Sequence, residues 1–209
     1  PEGEVRATLD WVRQGGDLLL GVDLEETHNL LALDLRGPSP DERLLAALGL
    51  RGLAAGPVAG LAYPTTAAAP TREVRALYVP GPHRLAGLSA ADLADRNRPL
   101  HRAGGASPPL RVLIRPAWMT LVADPAGAVL LQARHGRGRI TVLAEVEVLS
   151  NANLSRADNV VLAANLLFTG SDRVLFAEHL HRLGSGRSAD AEALDPSRAR
   201  ATLLLAVLA

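Results

Sequence analysis

Apolar positions recur along this chain in helical, continuous and alternating patterns, and each predicts a different element. Over residues 2–14, Val5, Leu9 and Val12 fall on one helical face with Trp11 beside them, and Gly15-Gly16 stops the run. The next segment, DLLLG (Asp17–Gly21), is apolar without alternation, as a strand covered on both faces of a parallel sheet requires. A helix, a glycine pair and a covered strand make half of a βαβ unit. The chain is therefore expected to begin inside a domain whose first strand lies upstream.

Residues 23–35 read as a helix, with Asp23 and Glu26 placed as a capping pair. Ser39-Pro40 opens another, closed near Gly49. Between residues 54 and 71 the composition shifts to Ala, Pro, Gly and Thr, which predicts a loop. Residues 73–79 and 110–114 read as strands around a short helix at 89–97 that Pro99 terminates. Residues 119–123, 128–134 and 139–144 form three strands joined by Asp124-Pro125-Ala126-Gly127 and Gly136-Arg137-Gly138, an antiparallel meander. The strongest helical pattern spans residues 155–168, with Ser155 as cap and Asp158 three residues on; residues 173–177 (RVLFA) read as a last core strand.

Alternating covered strands and helices, interrupted by an antiparallel insertion, predict a three-layer α/β domain with a mostly parallel sheet. A single domain over residues 1–198 suits the length of 209. Residues 199–209 stand apart, ending in the charge-free run ATLLLAVLA. That run admits two readings, a final covered helix or the first half of a membrane-spanning segment, since nine residues fall short of the about 20 that a span needs.

Composition narrows the chemistry. There is no cysteine, which excludes disulfides, thiolate metal sites and a thiol nucleophile. Formal charge is zero, and the 22 basic residues, every one Arg, are scattered rather than blocked, which argues against nucleic-acid binding. With two Trp, two Tyr and two Phe, the core must be built from Leu, Val and Ala.

In open α/β sheets, ligands collect beyond the carboxyl ends of parallel strands. Here those ends carry Glu145, Glu147, Ser150 and Asn151, then Glu178, His179 and His181, with Asn153, Asp158 and Asn159 nearby. Each has a plainer reading. Asn151, Asn153 and Ser155 lie where a strand becomes a helix and serve as caps; Asp158 is favoured there by the helix dipole, and Asn159 and Asn165 by backbone hydrogen bonding. Glu145 and Glu147 alternate along an extended segment and cannot form a dyad from it. His179-Leu180-His181 is a weak metal signal, so no metal site is assigned. Gly184-Ser185-Gly186-Arg187-Ser188 lacks the ending of a phosphate loop, and no nucleophile elbow occurs.

Taken as a set, WVRQGGDLLLG (residues 11–21), LLAALGL (44–50), GRGRITVLAEVEVLSNANL (136–154), ADNVVLAANLL (157–167) and VLFAEHLH (174–181) resemble a bacterial domain-of-unknown-function family. That family's fold looks like a class I glutamine amidotransferase, related in outline to flavodoxin, and its members usually sit between two membrane helices. The resemblance implies polar ligand-binding positions at Ser150, Asn151, Asp158, Asn159, Glu178 and His181. It also implies a membrane tether, with the side of the membrane open, and partners in a membrane assembly that includes an AAA+ ATPase. It implies no cofactor. Glu145-Val146-Glu147 and Ala177-Glu178-His179-Leu180-His181 depart from the family pattern at the positions where relatives carry an Asp-containing turn and an aromatic-rich acidic sequence.

Three functions compete. The first is a non-catalytic binding or scaffold domain held at a membrane. The second is a hydrolase in which Glu178 or His181 activates water, making these two the catalytic candidates. The third is recognition of a sugar or other small polar ligand, for which Trp11, Trp118, Tyr63 and Tyr78 are the available platforms.

Overall fold

A computed structural model describes residues 2–22, 40–55, 59–92 and 111–168, and its elements follow the apolar pattern closely over residues 2–21 and 119–143. The amino-terminal helix (Glu2–Arg13) packs Leu9 and Val12 inward, with Val5 beside them. Strand β1 (Asp17–Gly21) follows directly. The helix Pro40–Ala47 leads through Gly49, whose positive φ of 70° suits glycine, into β2 (Leu50–Ala54). Then come β3 (Gly60–Pro64), β4 (Leu77–Val79), β5 (His83–Gly87), β6 (Met119–Asp124), β7 (Gly127–His135) and β8 (Gly138–Leu143). Two helices close the described part, a single turn Asn151–Leu154 and the longer Asn159–Phe168.

The protein is a mixed α/β domain built on one mixed sheet. Its main path runs β1-β8-β7-β6-β3-β4, with β5 bridging β7 to β2. β1 pairs with β8 in parallel, from Asp17↔Arg139 to Gly21↔Leu143. The other ladders among the described residues are antiparallel. The meander predicted from residues 119–144 is present as β6–β8, and DLLLG is the strand it meets in parallel. The strand read at residues 173–177 and the helix read at 23–35 lie outside the described residues, as do Glu178, His179 and His181.

The two larger clusters of buried side chains lie on opposite sides of the sheet, as the two-residue period of β8 requires. Ile140, Val142 and Ala144 join Leu9, Val12, Leu20, Leu45 and Leu48 on the first side. Leu143 joins Leu77, Val79, Leu121, Val148 and Leu162 on the second.

Four expectations change along the chain. Residues 111–114 form no strand; the amides of Leu113 and Ile114 both donate to the Ala47 carbonyl, so the segment is tied to a helix end instead of a ladder. The stretch read as a loop from 54 to 71 holds β3, whose Ala62 is buried between Leu61 and Tyr63, an alternation that the Ala- and Pro-rich composition obscured. The strand read at 73–79 is confined to Leu77–Val79, because Glu73 turns with a positive φ of 64° and Asp158 captures the amides of Arg75 and Ala76. The helix read from 155 begins at Asn159, after Ala157 takes a φ of 46°.

One junction positions the polar residues. β7 is long enough to hold two neighbours on one edge: β8 up to the Leu130↔Leu143 pair, then β5 at Leu85↔Ala128. Ala144 still donates to Val129, and the chain then leaves the sheet. Glu145 is thus released where His83 begins β5.

Candidate functional site

The junction between β8 and β5 gathers the most deeply enclosed charged groups among the described residues. The turn Gly81-Pro82 brings His83 and Arg84 into β5, and both side chains point into the molecule. Glu145 Oε1 accepts two hydrogen bonds from one residue: the His83 amide at 2.8 Å and the His83 ring at Nδ1, also 2.8 Å. The side chains are 3 % and 4 % exposed, respectively.

Gly81 makes this packing possible. A Cβ there would fall within the carboxyl group of Glu145, overlapping both oxygens, so only a residue without a side chain lets the carboxyl lie flat on the backbone.

Arg84 turns the other way and is fully enclosed. Its Nε donates to Asp124 Oδ2 at 2.9 Å, with Nη2 bonded to the same oxygen, while Nη1 donates to the carbonyls of Gly81 and His83. The second oxygen of Asp124 accepts the amides of Ala126 and Gly127 and so builds the β6–β7 turn. The hydrogen bond from Arg84 holds the Asp124 carboxyl below the usual carboxylate range; the Arg84 charge and the two turn amides act in the same direction, and burial opposes them. Residues 81–84 are therefore clamped between two carboxyl groups, Asp124 at the end of β6 and Glu145 just past β8.

The polar positions at the strand-to-helix turn are occupied differently. Ser150 Oγ donates to the Glu147 carbonyl, and Asn153 Nδ2 donates to the same carbonyl and to Ser150 Oγ. Asn151 and Glu147 are exposed. Asp158 Oδ2 accepts the amides of Arg75 and Ala76. Asn159 is fully buried; its Oδ1 accepts the Tyr78 amide, and its Nδ2 donates to the carbonyls of Tyr78, Val148 and Asn153. The Asn159 amide thereby reproduces a strand partner along β4 and satisfies its edge. Asp158 and Asn159 thus stand together at β4, and the hydrogen bonds of their side chains go to backbone groups. Glu178 and His181 lie outside the described residues.

Sequence reasoning placed Glu145 at a strand end but missed His83, Arg84 and Asp124. A signal was available: Gly-Pro-His-Arg enters an apolar segment, LAGL, and a charged pair at the start of such a strand needs enclosed partners.

A shallow cleft of about 70 Å³ lies against β1, lined in part by Leu19, Gln132, Thr141, Pro70 and Asn165. Sites for small organic ligands usually measure about 300–1,000 Å³. Its polar groups are engaged with each other: Gln132 with Thr141, Asn165 with the carbonyls of Pro70 and Arg72. Among the described residues, no three His, Asp or Glu side chains stand close enough to hold a metal ion, and no helix is long and apolar enough to cross a membrane.

Fold and junction together define a mixed α/β domain whose buried charges are closed on one another. The chain belongs to the family described as Domain of unknown function (DUF4350), whose model matches residues 1–167. No curated protein and no solved structure matches it.

Proposed function

We propose that this chain is a non-catalytic binding or scaffold domain, on an amidotransferase-like α/β fold, held at a membrane in a bacterial assembly. The observation that carries this reading is the state of the polar residues. His83, Glu145, Arg84 and Asp124 are enclosed and bonded to each other, and Asp158 and Asn159 are occupied by backbone groups of β4. A general base has to reach the proton it removes, and among the described residues the cleft against β1 is lined by none of these groups. Supporting the fold assignment, β1 and β8 run parallel beneath the amino-terminal helix. A partner carrying an AAA+ ATPase activity fits the membrane-assembly context, and the ligand-binding role of Ser150, Asn151, Glu178 and His181 belongs to the same proposal.

The test is a paired measurement on the full-length protein. Hydrolysis of ester, amide, glycoside and phosphoester substrates is followed alongside cross-linking in native membranes. The expected outcome is turnover at the buffer rate together with a reproducible cross-linked partner. Turnover that disappears in Glu145→Gln or Glu178→Gln would replace this reading with a hydrolase.

A further inference from the structure

Among the described residues, the helices Glu2–Arg13 and Pro40–Ala47 pack on the first core, which reaches from β1 to the contact of β5 with β7. Directly paired residues share a face, so the face can be followed strand by strand. Leu85 opposes Ala128, Ala128 opposes Ala123, and Ala123 opposes Tyr63. Leu85 and Ala128 belong to the covered core, whereas Tyr63 is 52 % exposed. Two residues along β3, on the same face, Leu61 is 48 % exposed, and it opposes Tyr78 on β4. Both tyrosines of a chain poor in aromatics therefore share one sheet face with a leucine, Tyr63 and Leu61 exposed and Tyr78 half-buried.

A cation completes it. The Arg156 guanidinium lies 4.6 Å from the centre of the Tyr78 ring. Arg156 and Arg75 are both exposed, and neither is paired with a carboxylate among the described residues. Tyrosine and arginine are among the residues enriched at energetically dominant interface centres. Strand addition at β4 is blocked, because Asn159 already holds the amide and carbonyl of Tyr78. A partner must therefore use its side chains against the face.

We infer that the Leu61–Tyr63–Tyr78 face docks an extended acidic segment of a partner protein, its apolar side chains on the ledge and a carboxylate on Arg156. The unpaired guanidinium stacked at the border of an apolar ledge selects the charge of the occupant. The inference rests on the binding-domain reading and names the surface that performs it.

The probe is a fluorescein-labelled peptide of alternating leucine and glutamate, titrated with the full chain and followed by anisotropy. A leucine–lysine peptide is the counter-probe. Binding to the acidic peptide is expected, weakened by added salt, and about tenfold weaker in Tyr63→Ser and in Arg156→Glu. Both variants are exposed changes, and unaltered urea midpoints show that they fold. No anisotropy change, equal binding of the lysine peptide, or indifference to both variants overturns the inference. So does a Tyr63-dependent association with phosphatidylglycerol vesicles or with a second copy in sedimentation. If these variants keep the membrane cross-linked partner, the face is wrong and the binding reading stands; if the unaltered protein has no partner, the reading itself fails.

Discussion

Placing a methyl group on Gly81 tests the buried junction at its tightest point. In Gly81→Ala the new carbon would occupy the space of the Glu145 carboxyl group. At most surface positions the end of a glutamate simply swings aside. Here the side chain is 4 % exposed and its Oε1 holds the His83 amide and ring, so moving it breaks both bonds inside the protein. A hydrogen bond to a charged group contributes about 1.5–3 kcal/mol, so losing the two should cost about 3–6 kcal/mol. Set against the about 5–15 kcal/mol that holds a typical domain folded, that is a large fraction. Urea unfolding followed by the fluorescence of Trp118, whose indole donates to the Leu48 carbonyl, gives the number. The double-mutant cycle with Glu145→Ala decides the cause. Once the carboxyl is gone, the methyl has room, and Gly81→Ala should cost less than about 1 kcal/mol. Additive costs in the double mutant, or a single-mutant cost below about 1 kcal/mol, would refute the claim that Gly81 exists to seat Glu145.

Three further outcomes follow from the same geometry. Asp124→Asn leaves the enclosed Arg84 without its counter-charge and should destabilise by about 3–5 kcal/mol in urea titrations. Because the folded pKa of Asp124 is lowered, its contribution is complete above the unfolded value of about 4 and is lost as pH falls through the lower folded value; stability measured from pH 5 downward should fall less steeply in Asp124→Asn than in the unaltered protein. Asn159→Ala removes the amide that satisfies β4 and should cost about 2–4 kcal/mol, with faster hydrogen exchange at the Tyr78 amide as its local signature. Asp17→Asn breaks an ion pair whose side chains are 38 % and 41 % exposed, and thermal unfolding should register less than about 1 kcal/mol, smaller still in high salt.

The candidate site was legible only where local chemistry and tertiary role coincide. Asn159 on an apolar helix announces a buried amide in need of partners, and it has four; nothing in its neighbourhood indicates that they belong to Tyr78, Val148 and Asn153. Asp158 in a first helical turn is explained by the helix dipole alone, yet its carboxylate serves amides more than eighty positions away. His83 and Arg84 carried no periodic signal, because a charged residue in a short strand reads as exposed until its partner is known.

Local pattern was sufficient for the amino-terminal helix, for β1 and for the β6–β8 meander. Each is specified by neighbours within a few residues: a helical stripe ended by glycine, an unbroken apolar run, and turn residues at hairpin spacing. The parallel pairing of β1 with β8, the handover from β8 to β5 along one edge of β7, and the enclosure of four ionisable side chains there required the folded sheet. Residues some sixty positions apart in the chain, such as His83 and Glu145, become neighbours through strand pairing, and the interaction that unites them has no period along the sequence to be read.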